Sequence, residues 1–116
     1  MYTIKLTENG LADVKALPRN VKNSLKAELL EKLATDPYNH STELSSVLRG
    51  WRSFQWMDYR VVFKVYDDLK AIGIEAVGKH DHEAQKDIYK RLEVLVEKGK
   101  LANSVLSTFR GFTQQP

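Results

Sequence analysis

The sequence predicts an α+β domain, with helices packed on an antiparallel sheet. Three observations carry that prediction. The chain opens on an alternating, β-branched run, YTIKL at residues 2–6. Two amphipathic stretches parted by a proline follow. Three strand-like runs separated by tight turns then lead into a last amphipathic stretch. The expected order is β-α-α-β-β-β-α, with a short C-terminal helical extension.

Tyr2 to Leu6 reads as a short first strand. Thr7 is the natural N-cap of the first helix, because its hydroxyl can accept from an otherwise unpaired backbone N–H. Leu11, Val14 and Leu17 recur there at helical spacing, and Pro18 stops the run. A second helix starts near Asn20 and runs to Pro37. Val21, Leu25, Leu29 and Leu33 form its stripe with Leu30 beside it, and lysine and glutamate cover the other side. Two helices joined at a proline make an αα-hairpin. Tyr38 to Ser46 is polar and reads as loop.

WRSFQW, residues 51–56, is the next strand, and Met57 and Asp58 turn the chain. YRVVFKVY then puts Tyr59, Val61, Phe63 and Val65 on one face and Arg60, Val62, Lys64 and Tyr66 on the other. Asp67 and Asp68 make the next turn, and AIGIEAVG returns. Such short connections make the three strands antiparallel neighbours. A closing helix spans Asp81 to Lys100, with Asp81 as N-cap and Ile88, Leu92 and Leu95 facing inward. Leu101, Val105 and Phe109 repeat at four and suggest one more short helix.

The chain has 116 residues, 42% of them hydrophobic and 28% charged, which fits one compact domain. Residues 1–99 are the expected domain and 100–116 an extension of it. There is no cysteine, so disulfides and thiolate metal centres are excluded. No basic and apolar leader opens the chain, and no apolar run approaches the roughly 18 residues of a spanning helix. The expectation is a soluble, cytoplasmic protein without a membrane partner. A net charge of +3 permits an acidic or nucleic-acid partner without requiring one.

VGKHDHE, residues 77–83, holds two of the three histidines. Imidazole and carboxylate suit zinc, but ligands must converge. Neither a third histidine nor a cysteine lies nearby, and Asp81 is occupied as a cap. No metal and no other cofactor is expected. His40 sits in a polar loop and is assigned no role.

Several short motifs occur in a telling order. They are Asp36-Pro37 closing the helical hairpin, Leu48-Arg49-Gly50, Asp58-Tyr59-Arg60-Val61-Val62-Phe63, Val77-Gly78, and Tyr89 on the last helix. Together they resemble the RelE/ParE superfamily of toxins from type II toxin–antitoxin systems, over residues 1 to about 95. The resemblance implies a toxin held inactive by a cognate antitoxin. It implies either RelE-like cleavage of mRNA on the ribosome or ParE-like inhibition of DNA gyrase, and fold alone does not choose. A family member without toxicity, acting as a binding module, is the remaining alternative.

Carried over by position, Arg60 matches the arginine of the RNA site. Arg52 and Gln55 stand on the preceding strand, where more positive charge is usual. His80 stands where an arginine often follows Val77-Gly78. Tyr89 matches the tyrosine in kind, about three residues further on than usual.

Cleavage of this type has the 2′-hydroxyl attack the adjacent phosphate. Charge on the phosphate must be neutralised and two protons moved. Arginine suits a phosphate through its planar fork, and histidine suits proton transfer near neutrality. The expected site is therefore Arg60, His80, His82 and Tyr89 as catalytic residues, with Arg52, Gln55 and Lys79 on the RNA. Trp51, Phe54 and Trp56 offer faces for base stacking or fill the core. Strand alternation separates Trp51 from the other two. An acid–base group beside a phosphate clamp is needed for cleavage and not for binding gyrase. Metal-independent RNA cleavage is therefore the favoured expectation.

Overall fold

The computed structural model describes residues 1–45, 48–79 and 89–94. Strand β1 (Thr3–Leu6) leads into α1 (Glu8–Lys15) and α2 (Arg19–Glu28), and a π-helical turn continues α2 over Leu29–Leu33. Then come β2 (Thr42–Glu43), β3 (Trp51–Trp56), β4 (Tyr59–Tyr66) and β5 (Ala71–Lys79). Residues 89–94 are helical and are called α3. The expected hairpin and three-strand meander are present, and β3 and β4 have the expected bounds. Residues 81–88 and 95–116, which include most of the expected closing helix and the whole C-terminal extension, lie outside the described residues.

The five strands lie in the order β1-β5-β4-β3-β2. β3, β4 and β5 are antiparallel neighbours, whereas β1 joins the outer edge of β5 in parallel. β2 corrects the expectation of loop from Tyr38 to Ser46. Thr42 and Glu43 pair with Ser53 and Arg52. A two-residue strand leaves no periodic signature, so only the neighbouring β3 reveals it.

Each face of the sheet has its own apolar cluster. On one face Leu25, Leu29 and Leu33 meet Phe54, Val61, Phe63 and Ile72. The other face gathers Leu48, Trp51, Val62, Ala76 and Leu92, with Tyr66 and Tyr89 at its margin. The π turn explains the four-residue spacing of the leucines. A true α-helix would carry that spacing slowly round its axis, because its period is 3.6. The wider turn, closed by Ala34 N–H donating to Leu29 O at 3.0 Å, brings Leu29 and Leu33 back over the sheet. Leu30 stays 53% exposed.

β1 is shorter than β5, so α1 covers the rest of that edge. Thr7 caps α1 as expected, its hydroxyl accepting from Gly10 N–H at 3.1 Å. Thr7 N–H donates to Ile74 O at 3.0 Å, and the Asp13 carboxylate accepts from Val77 N–H at 3.0 Å. The backbone of the Thr7 cap and the Asp13 side chain of α1 thus replace a missing strand, satisfying backbone groups that burial would otherwise leave costly. Val62 pairs with Ala76 and Phe63 with Ile74, so Glu75 is the extra residue of a bulge. It is fully buried and accepts from Asn9 Nδ2 at 2.8 Å.

Candidate functional site

Alternation along β3 and β4 sends Ser53, Gln55 and Arg60 to the face that carries α3. There they border an open groove of about 470 Å³. Tyr89 of α3 closes one side, and Asn39, His40, Ser41 and Thr42 supply the loop wall. Arg60 lies opposite Gln55 on β3 and opposite Gly78 on β5. The Arg60 guanidinium reaches across to α3. Its Nη1 donates to the Tyr89 hydroxyl oxygen, and Cζ lies 5.7 Å from the centroid of the same ring. That geometry holds the fork of a half-buried arginine at the groove.

Of the residues expected from sequence, the structure brings together Gln55, Arg60 and Tyr89. It does not bring Arg52 to them. Arg52 pairs with Phe63 in the ladder and so shares the opposite face. Its Nε donates to Ser41 Oγ at 2.6 Å, and Nη2 donates to Ser41 O at 3.0 Å and Tyr38 O at 3.3 Å. It also lies 3.9 Å from Glu43 and over the Tyr38 ring. Expected on the RNA, this arginine instead fastens the loop that walls the groove. Lys79 is the exposed last residue of β5 and pairs with Tyr59, on the face away from Arg60. His80 and His82 lie outside the described residues.

The aromatic expectations also divide. Trp51 is 5% exposed and Phe54 is 4% exposed, one in each core cluster, so neither presents a face to a base. Trp56 stacks on Tyr59 across the hairpin, with centroids 6.2 Å apart. No group of three or more candidate metal ligands occurs among the described residues.

His40 was passed over in the sequence and lines the same groove as Arg60 and Tyr89. Nothing in its local pattern separates it from any polar loop histidine; only the path of the loop does. That path is strongly held. The Asp36 carboxylate accepts from Asn39 N–H and from Asn39 Nδ2, and Ser41 Oγ donates to Pro37 O at 2.6 Å. Tyr38, just before Asn39, donates to Asp67 in the β4–β5 turn, and Tyr2 donates to the same carboxylate at 2.5 Å. The Asp67 bond pushes the Tyr38 hydroxyl up to about 12, and the two tyrosine hydroxyls hold the Asp67 carboxyl below its usual range.

Solved structures with this arrangement of strands and helices include RelE toxins, several bound to their antitoxins. The RelBE2 complex of Mycobacterium tuberculosis is similar at 22% identity and a TM-score of 0.66, over 69% of this chain and 93% of that one. The isolated RelE toxin of E. coli is similar at 23% identity and a TM-score of 0.60, over 79% of this chain and 99% of that one. The RelE–RelB complex of Pyrococcus horikoshii is similar at 20% identity and a TM-score of 0.55, over 70% of this chain and 97% of that one. Likenesses at this identity establish the fold. No curated protein matches the chain.

The class is therefore that of RelE/ParE superfamily toxins of type II toxin–antitoxin systems. Within it, the chain belongs to the family described as the ParE toxin of the type II toxin–antitoxin system parDE, which residues 4–84 match.

Proposed function

We propose that this toxin is a metal-independent endoribonuclease acting on mRNA in the ribosome, kept inactive by a cognate antitoxin. The observation that carries the reading is the Arg60–Tyr89 pair at the floor of a polar groove. A gyrase-binding surface has no need of a phosphate clamp joined to a hydroxyl group. Arg60 holds the scissile phosphate, and its fork neutralises charge that grows as the 2′-oxygen attacks. Because the Tyr89 oxygen accepts from Arg60, its own hydrogen is left to donate to the departing 5′-oxygen. Gln55, opposite Arg60 on β3, offers an amide to the ribose or base. His80 and His82, one and three residues after Lys79 in sequence, are candidate proton carriers. The antitoxin partner is supported by the RelB complexes of two structural neighbours.

The test is cleavage of mRNA on programmed ribosomes, with product ends mapped. The wild type should leave a 2′,3′-cyclic phosphate and a 5′-hydroxyl. Arg60→Ala should cut at least about 100-fold more slowly. The match to a ParE family supports a second reading, inhibition of DNA gyrase. If the toxin blocks gyrase supercoiling and leaves mRNA whole, that second reading replaces the first.

A further inference from the structure

The proposed cleavage needs a group to take the 2′-hydroxyl proton, and the described part of the groove contains one suited to it. His40 lines the groove that Arg60 and Tyr89 share. Among the described side chains lining it, His40 carries the imidazole, the side-chain type best suited to general acid–base work. The loop carrying His40 is not loose. Asp36 pins Asn39 on one side, and Arg52 pins Ser41 from behind the sheet. Such fixation on both sides is what a group positioned for proton transfer requires.

We infer that His40 is the general base of this toxin, an inference that rests on the cleavage reading above. Neutral His40 takes the proton of the 2′-hydroxyl as that oxygen bonds to phosphorus. The phosphorus–5′-oxygen bond then breaks, and the 5′-oxygen takes a proton from the Tyr89 hydroxyl. Water returns the protons between turnovers, so no metal or co-reactant enters. Among the described residues, the charged groups round the His40 loop include Asp36 before it, Asp67 bonded to Tyr38, Glu43 and Arg52 at the β2–β3 edge, and Arg60 across the groove. Arg52 is occupied by Ser41, Tyr38 and Glu43.

The experiment is single-turnover cleavage on programmed ribosomes across pH, for the wild type, His40→Ala, His40→Gln and the double variant H80A/H82A. Binding of an mRNA analogue with a 2′-deoxy scissile position is measured in parallel. Both His40 variants should cleave about 100- to 10,000-fold more slowly while binding the analogue within about two-fold of wild type. The rise in rate with pH that a general base produces should vanish in them and persist in H80A/H82A. Added imidazole should partly restore His40→Ala. Undiminished cleavage by the His40 variants, or a rise in rate that survives in them and disappears in H80A/H82A, overturns the inference and leaves the cleavage reading standing. A wild type that binds the analogue and never cuts overturns both.

Discussion

Gly10→Ala separates two physical arguments that disagree in sign. Gly10 lies inside α1, where alanine ordinarily gains about 1 kcal/mol over glycine. Here a Cβ would sit 2.2 Å from the Ile74 carbonyl oxygen. An ordinary carbon–oxygen contact is about 3.3 Å, so α1 must back away by about 1 Å. That retreat stretches the Thr7–Ile74 and Asp13–Val77 bonds, each 3.0 Å, beyond useful length. Leaving two buried backbone groups short of a partner costs about 1–3 kcal/mol each. Set against the propensity gain, the net loss is about 3 kcal/mol, a large share of the stability of a small domain. The assay is urea unfolding in an Arg60→Ala background, chosen because the proposed cleavage requires Arg60. With a slope of about 1–2 kcal/mol/M, the midpoint should fall by about 2 M at unchanged slope. A midpoint equal to or above that of the parent would refute the account of α1 as a close-packed substitute for an edge strand.

Tyr89→Phe keeps the ring over Arg60 and removes the hydroxyl. Cleavage should fall about 100-fold with the thermal midpoint within about 2 °C, and an unchanged rate removes Tyr89 from the chemistry. Arg52→Ala should lower stability by about 2 kcal/mol through the loss of its bonds to Ser41 and Tyr38, read by denaturant midpoint. It should also slow cleavage without moving the pH profile; an RNA-binding defect in a fully stable variant would return Arg52 to the interface. Asp67 has a depressed folded pKa, so its contribution is present above its unfolded value near 4 and is lost as pH falls through the folded value. Asp67→Asn should therefore be less stable than wild type at pH 7 and converge with it as pH drops below about 4. A gap that is constant with pH contradicts the tyrosine–carboxylate latch.

The strands β3 and β4 were legible because runs rich in β-branched and aromatic residues are bounded by turn residues, Met57-Asp58 and Asp67-Asp68. Arg60 was identified as facing opposite to Phe63 from strand alternation alone. Thr7 was legible as a cap because its side chain acts on its own neighbours. β2 was not, since two residues carry no period. The bulge at Glu75 was not, since a buried glutamate in a strand reads as an exposed one until Asn9 arrives from a residue 66 positions away. Arg52 was read as a partner of RNA from its strand and charge; alternation already placed it opposite Gln55, but its true partners lie in a loop that sequence could not position.

What the sequence determined by itself is what local period and local capping set: the first strand, the helical hairpin, the two faces of the meander, the absence of thiol chemistry, and the motif series that resembles the toxin superfamily. Only the tertiary structure decided which polar side chains meet. Tyr89 of α3 meets Arg60 of β4, 29 positions away in the chain. His40 enters the groove because Asp36, Arg52 and Asp67 fix its loop from three other places in the chain. Apart from the local Asp36–Asn39 bond, those contacts join residues 11 or 29 positions apart, and no pattern of spacing along one strand or helix encodes them.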